Sequence, residues 1–158
     1  MRRAAVVPVL ALVLVVLPAA LLAACGEESG GAASGDDPAT AAAPSTDDLD
    51  GTFTSTAVQG RELVRRTQVT LHFEDGRMAV RAGCNTMSAA YEVDDAGTLR
   101  WTDAPVSTMK GCPSALAAQD RWLSDLLFDG VAATLDGDAL TLSGDAAGEE
   151  VVIDLERG

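Results

Sequence analysis

The sequence is poor in the residues on which many catalytic and metal sites depend. It contains one histidine, three cysteines, a single lysine (Lys110) and few aromatic side chains. One imidazole excludes most histidine-based catalytic triads, and three thiols with one imidazole exclude most multi-ligand metal sites. Basic residues are also scarce, because 11 Lys and Arg stand against 24 Asp and Glu, for a net charge of −13. Since affinity for nucleic acid comes from Lys and Arg, we predict no nucleic-acid partner.

The N-terminus has the parts of an export signal. Arg2 and Arg3 precede an apolar run over residues 4–24, which ends in Leu22-Ala23-Ala24-Cys25-Gly26. A positive start, an apolar centre and small residues at the end are typical of secretory signals. The ending resembles a bacterial lipobox, in which the cysteine receives diacylglycerol. We therefore predict a lipoprotein signal peptide over residues 1–24 and lipidation of Cys25. An uncleaved membrane span is the alternative, because about 20 apolar residues suffice to cross a bilayer.

Lipidation of Cys25 would determine where in the cell the protein lies. Acyl chains at the new N-terminus would hold the protein on the extracytoplasmic face of the cell membrane. Removal of Arg2 and Arg3 changes the net charge from −13 to −15. Anionic headgroups repel such a surface, so we expect the lipid to provide the anchoring.

Residues 25–50 combine the lipidated cysteine with an acidic linker. This segment is rich in small residues and carboxylates and has no basic residue. Leu49 is its only large apolar side chain, so it cannot bury enough surface to offset its ordering entropy. We predict a disordered spacer that lifts the folded part from the bilayer. A recognition tail for a basic partner is the alternative.

From Gly51 the pattern changes to short alternating apolar runs separated by turn residues. They predict strands around Phe53–Ala57, Val69–Phe73, Met78–Ala82, Tyr91–Val93, Leu99–Trp101, Ala133–Leu135, Leu140–Leu142 and Val151–Leu155. One helix is predicted over Ser114–Phe128, with its leucines on one face and Asp120 mostly elsewhere. Residues 51–158 thus predict a mainly β, or α+β, domain. Its architecture is a curled antiparallel sheet or partial barrel of about eight strands with one α-helix.

The two remaining cysteines form an even pair. If Cys25 is acylated, Cys84 and Cys112 lie outside the cytoplasm, where disulfides persist. We predict that they are bridged, which would stabilise the fold by about 3–4 kcal/mol through loop closure. Two separate buried thiols are the alternative.

Three segments carry a family resemblance: Gly83-Cys84-Asn85, Thr108-Met109-Lys110-Gly111-Cys112, and the hairpin from Asp136 to Leu142. Together they resemble the META domain, the HslJ-like family of small envelope proteins and lipoproteins. The resemblance implies an antiparallel β-rich fold with a helix, and links to heat-shock induction and antibiotic tolerance. It supplies no agreed catalytic residues.

The residue types of this motif also have a physical interpretation. Gly83 is expected to allow backbone angles that a side chain would forbid. Asn85 can bond to neighbouring backbone and shape the turn. An Asn85 that faces a ligand is the alternative.

The sequence presents no catalytic constellation. His72 is predicted on the outward face of its strand, and neither a Gly-x-Ser-x-Gly elbow nor a phosphate-binding glycine loop is present. Asp136 and Asp138 could indicate calcium, but a hairpin turn is favoured because no 12-residue loop with a closing glutamate surrounds them. We expect no enzyme activity, no cofactor and no metal.

These features favour a non-enzymatic cell-envelope lipoprotein. Its META-like domain would bind an unknown envelope protein or a hydrophobic ligand and support stress tolerance. The alternative is a pilotin-like accessory protein that shelters an acyl chain or a partner's peptide.

Overall fold

The computed structural model describes residues 42–158. The predicted signal peptide, Cys25 and most of the predicted linker lie outside the described residues. Within 42–158, no helix has both the length and the hydropathy needed to cross a membrane.

The described residues form nine strands, one α-helix and one short 3-10 helix. The 3-10 helix is Asp47–Leu49, and the α-helix, α1, is Ser114–Asp129. The strands are β1 (Gly51–Gln59), β2 (Thr70–Glu74), β3 (Arg77–Arg81), β4 (Met87–Val93), β5 (Thr98–Trp101), β6 (Val106–Ser107), β7 (Val131–Asp136), β8 (Ala139–Ala146) and β9 (Glu149–Arg157).

Eight of the strands close into an antiparallel barrel. Their order is β3-β2-β1-β9-β8-β7-β5-β4, and a pairing between β3 and β4 completes the circle. The two-residue strand β6, which the sequence pattern did not predict, pairs with β4 as an addition. The predicted fold class is therefore confirmed, with closure that is complete rather than partial. Closure also removes the exposed edges that an open sheet would leave.

The barrel interior is filled by side chains. Alternate residues of each strand point inward, as the burial of Leu71 and Phe73 in β2 and of Val151, Ile153 and Leu155 in β9 shows. The rings of Phe53, Phe73 and Tyr91 meet edge to face, with centroids 5.9 and 5.1 Å apart. An eight-stranded barrel is just wide enough for side chains to fill it.

The barrel has two distinct ends. The entry end is where the chain enters β1 at Gly51, and it carries the β2–β3, β4–β5 and β7–β8 turns. The helix end is the opposite one, which α1 covers. Two glycines allow α1 to lie close to the barrel at this end. A Cβ on Gly83 would lie 3.2 Å from the Leu116 carbonyl oxygen, and one on Gly144 would lie 3.1 Å from a Leu126 methyl group.

The segment before Gly51 packs against the entry end. Leu49 is completely buried, and the Tyr91 hydroxyl donates to the Thr46 carbonyl at 3.2 Å. The Arg157 guanidinium donates to the carbonyls of Asp48 and Asp50 and lies 4.4 Å from the Phe53 ring centroid. The packed part of the chain therefore begins before Gly51, which corrects the expected end of the disordered linker. A buried apolar side chain and hydrogen bonds from Tyr91 and Arg157 hold this segment to the barrel.

Truncation of Leu49 tests this boundary. We expect Leu49→Ala to lower the free energy of unfolding by about 2–5 kcal/mol, because it empties a fully buried site. Met109→Ala is the control, since Met109 is 96% exposed. It should stay within about 0.5 kcal/mol of the native protein. Urea denaturation measures both, and equal midpoints for the native and Leu49→Ala proteins would show that the segment does not belong to the domain.

A carboxylate in the β4–β5 turn makes the stability of the fold depend on pH. The Asp94 carboxylate accepts the amides of Thr98 and Ala96 at 2.8 and 3.0 Å, and these bonds, that of Thr98 foremost, hold the pKa of Asp94 below its ordinary value. A depressed folded-state pKa means that this stabilisation is present above the unfolded-state pKa and is lost as the pH falls through the folded-state pKa.

We therefore expect Asp94→Asn to reduce the slope of unfolding free energy against pH below about pH 4. Denaturant titrations at a series of pH values measure the slope. Asp95→Asn is the matched control, because it removes a carboxylate from the same turn and leaves both hydrogen bonds in place. Identical slopes for Asp94→Asn and the native protein would contradict the assignment.

Candidate functional site

The residues singled out in the family-like motif meet at the helix end. Gly83, Cys84 and Asn85 form the loop after β3, and Thr108 to Cys112 lead into α1. Cys84 and Cys112 form a disulfide with an S–S distance of 2.00 Å, across a separation of 28 residues. The bond joins the β3–β4 loop to the start of the helix, between the two cysteines predicted to pair.

The carboxylate of Asp120 holds this loop in place. It accepts the backbone amide of Cys84 at 3.1 Å and that of Asn85 at 2.9 Å. Asp120 is only 5% exposed, so these two charge-assisted bonds replace the water that a carboxylate otherwise requires. The expectation that Asp120 lies mostly off the apolar face of the helix was therefore wrong.

The helical periodicity contained a signal for Asp120. Leu116, Asp120, Leu123 and Leu127 follow one another at intervals of three and four residues, so the carboxylate lies within the apolar stripe. A carboxylate in such a stripe is retained only where donors meet it. The donors are amides from a distant loop, which no local pattern reveals.

Gly83 is needed for a different reason from the one expected. Its φ is not among the positive values of the described residues. A Cβ at this position would instead lie 3.3 Å from the Asp120 carboxylate and 3.2 Å from the Leu116 carbonyl oxygen. Glycine therefore serves close approach of the loop to α1, and the expectation of special backbone angles was wrong.

Asn85 joins three segments through one amide side chain. Its Oδ1 accepts the Thr108 hydroxyl and the Lys110 amide, each at 3.0 Å. Its Nδ2 donates to Asp120 at 3.3 Å and lies 3.3 Å from the Cys112 sulfur. These contacts support a turn-shaping role, because both ends of the amide are engaged within the protein.

Thr108 and Met109 are neighbours in the sequence, but only Thr108 makes hydrogen bonds through its side chain. The Thr108 hydroxyl also accepts the Thr86 amide at 3.1 Å, so it ties β6 to the start of β4. The Met109 side chain is 96% exposed and nearby Val106 is 68% exposed. Met109 thus takes no part in the polar network.

Gln119 provides a second buried anchor at the helix end and was not anticipated. It is 2% exposed. Its Oε1 accepts the Val64 amide at 2.6 Å, and its Nε2 donates to the Thr67 hydroxyl at 2.8 Å and to the Ala82 carbonyl. The adjacent residues Gln119 and Asp120 therefore fix the β1–β2 loop and the β3–β4 loop to one turn of α1.

A groove of about 620 Å³ lies beside α1 at the same end. It runs between the helix, the end of β1 and the β8–β9 turn. Its aromatic residues are Trp122 and the 57% exposed Phe128, and its charged residues are Arg61, Arg121, Asp125, Asp129 and Glu149. The Arg61 guanidinium lies 5.2 Å from the Trp122 ring centroid, within reach of a cation–π interaction.

The remaining candidates stay outside this region. The exposed His72 contacts Thr52 at 2.9 Å on the outer face of β2. Asp136 and Asp138 flank Gly137 in the β7–β8 hairpin turn, where Gly137 has φ +57°. Across residues 42–158, no group of three or more His, Cys, Asp or Glu side chains is arranged to hold a metal ion.

Comparisons with known proteins identify the fold and the family. The family model described as META domain matches residues 47–157. A protein solved by NMR superimposes with a TM-score of 0.54 at 19% identity, covering 72% of this chain and 95% of that one. An NMR structure of a protein from Burkholderia xenovorans gives a TM-score of 0.53 at 17% identity, covering 78% and 96%. At these identities the two structures show the fold alone. No curated protein matches the chain.

Removal of the Asp120 carboxylate tests the anchoring of the helix end. We expect Asp120→Ala to lower the free energy of unfolding by about 2–4 kcal/mol, because it leaves the Cys84 and Asn85 amides without their acceptor. Asp125→Ala, an exposed carboxylate on the same helix, should stay within about 0.5 kcal/mol of the native protein. Denaturant titration compares the two. Equal effects would mean that charge on α1, rather than the two hydrogen bonds, determines the outcome.

Proposed function

The chain belongs to the META domain family, and on that premise we propose that it is a non-enzymatic binding module of the cell envelope. Lipidated Cys25 anchors it to the extracytoplasmic face of the cell membrane. The helix end binds a protein partner and thereby helps the envelope to tolerate stress. The groove beside α1 is the single observation that carries the binding role.

The composition of the groove favours a polypeptide partner. Aromatic residues and arginine are enriched at protein interfaces, and Trp and Arg dominate their binding energy. Phe128 and Arg61 supply these types at the surface, with Trp122 beneath Arg61 at 9% exposure, and carboxylates such as Asp125 and Glu149 supply charge of the other sign. An exposed Phe128 next to charges of both signs fits a partner that brings apolar and polar side chains.

An acyl chain is a less suitable occupant, which weakens the pilotin-like alternative in that form. The barrel interior is occupied by buried side chains of its own strands. Five of the residues that line the groove are charged. Burial of charge against hydrocarbon is unfavourable without a partner, so an alkyl chain would not be stabilised there. A partner's peptide remains compatible with the groove.

The tether and the groove lie at different ends of the barrel. The described chain begins beside the entry end, where the backbones of Ala42 and Leu135 exchange hydrogen bonds at 3.2 and 2.8 Å. Strand β8 then leads over eight residues from the entry end to the groove, a distance of about 25 Å. A module anchored through Cys25 would therefore be joined to its tether at the end of the barrel opposite the groove.

Binding is preferred to catalysis because the fixed polar groups of the helix end already have partners. Asp120, Asn85 and Gln119 direct their side chains to backbone and side-chain atoms of the protein itself. His72 lies on the outer face of the barrel wall. The arrangement stabilises a rigid surface and leaves the groove as the place where a partner can dock.

Site-specific photo-crosslinking in the producing bacterium tests the function. A photoreactive residue at Phe128 should yield one discrete crosslinked protein, and the same residue at Asp75, on the entry end, should not. We also expect Phe128→Asp to abolish the partner complex and lower survival under cell-wall stress, while the free energy of unfolding changes by about 0.5 kcal/mol or less.

Mass spectrometry of the protein purified from the same bacterium tests whether Cys25 carries the lipid anchor. It should show residue 25 as the acylated N-terminus. Equal crosslinking at positions 128 and 75, or a Phe128→Asp strain with native tolerance, would contradict the binding role. An unmodified Cys25 would contradict the anchor alone.

A further inference from the structure

A small cleft at the helix end brings two arginines together, and we propose that it binds a phosphomonoester group. The cleft has a volume of about 180 Å³ and lies between the β1–β2 loop and the end of β3. Arg66 of the loop and Arg81 of β3 both line it. This site is separate from the groove at α1, so the proposal does not depend on the partner or on the lipid anchor.

The two arginines carry positive charge that the protein does not neutralise. Among residues 42–158, neither guanidinium lies within 4.0 Å of a carboxylate, and both side chains are exposed. Like charges that line one cleft repel each other. An anion in the cleft would balance both charges at once.

One buried side chain fixes both walls of the cleft. Gln119 binds the hydroxyl of Thr67, which follows Arg66, and the carbonyl of Ala82, which follows Arg81. It is 2% exposed, so its bonds form in a water-excluded position. The backbones that carry the two arginines are therefore held in a set relation before any ligand arrives. Such preorganisation reduces the entropy lost on binding.

Arg66 has an unusual backbone conformation. Its φ is +67°, in the left-handed region that residues other than glycine and asparagine seldom adopt. The turn is secured because both the amide and the hydroxyl of Thr67 donate to the Val64 carbonyl, at 3.1 and 2.6 Å. An unfavourable conformation that is held this firmly is typical of functional positions.

The charge of the cleft selects the ligand class. A phosphomonoester carries about −1.5 to −2 charges at pH 7 and offers three acceptor oxygens, so it can balance two guanidinium groups. A carboxylate carries a single charge and leaves one arginine uncompensated. Arginine forks match phosphate oxygens in paired hydrogen bonds. Thr70 lies opposite Arg81 in the β2–β3 register and adds a hydroxyl to the same cleft.

The test uses the full chain in neutral detergent micelles, with amide NMR shifts as the readout. Inorganic phosphate and acetate are titrated at matched ionic strength. We expect phosphate to give saturable shifts at Arg66, Thr67, Arg81 and Gly83, and acetate to bind about tenfold more weakly or not at all. The proposal would be overturned if neither inorganic phosphate nor phosphatidic acid gave saturable shifts, or if acetate bound as tightly as phosphate.

Matched variants separate the site from general electrostatics. Arg81→Gln should weaken phosphate binding about tenfold or more, because it removes one charge-assisted pair. Arg77→Gln removes the same charge from the entry end of the same strand and should bind as the native protein does. Arg66→Asn should also lose binding while it keeps the fold, because asparagine tolerates the left-handed conformation. Equal weakening by Arg77→Gln and Arg81→Gln would refute a built site.

Phosphatidic acid added to the micelles distinguishes two sources of the group. Saturation of the same amides by inorganic phosphate assigns the cleft to a water-soluble phosphomonoester. Saturation by phosphatidic acid alone assigns it to a lipid headgroup, and both results support the phosphomonoester chemistry.

Discussion

The contact between the Asp120 carboxylate and the amides of Cys84 and Asn85 is the constraint on which the helix end depends. The helix could cover the barrel through apolar contacts alone, but such contacts do not fix where a loop must lie. A buried carboxylate does, because it is stable only when its oxygens meet donors. Gly83 then permits the close approach, and Asn85 extends the network to the segment before the helix. The disulfide adds a covalent link between the same two segments.

The two ends of the barrel differ in how many basic residues they carry. The entry end carries a large group of carboxylates on its turns and N-terminal segment, namely Asp47, Asp48, Asp50, Glu74, Asp75, Asp94, Asp95, Asp136 and Asp138. The helix end mixes both signs, because six basic residues, Arg61, Arg65, Arg66, Arg81, Lys110 and Arg121, stand beside the carboxylates of Glu62, Asp120, Asp125, Asp129, Asp145, Glu149 and Glu150. Any positive field that an incoming anion meets is therefore confined to the cleft that Arg66 and Arg81 line.

The strands and the helix could be predicted from the sequence because their patterns are local. Phe53, Leu71 and Met78 alternate with polar residues, and Asp75-Gly76 marks the turn between two of the strands. The β1–β9 pair joins residues about one hundred positions apart, which no periodicity encodes. Asp120 and Gln119 were missed for the same reason, since their partners lie on distant loops. Leu49 was assigned to the linker because one apolar residue in an acidic stretch carries no pattern, although its side chain is completely buried at the entry end.

The Arg157 contacts have a mechanical consequence. A pulling force on the chain at Ala42 acts first on its two hydrogen bonds to Leu135 in β7, and then on the carbonyls of Asp48 and Asp50 that Arg157 of β9 holds. Both points of attachment lie at the same end of the barrel, and neither strand end contributes to the Asp120 network. Tension on the N-terminal segment therefore acts first on contacts at the entry end, which are separate from the Asp120 network.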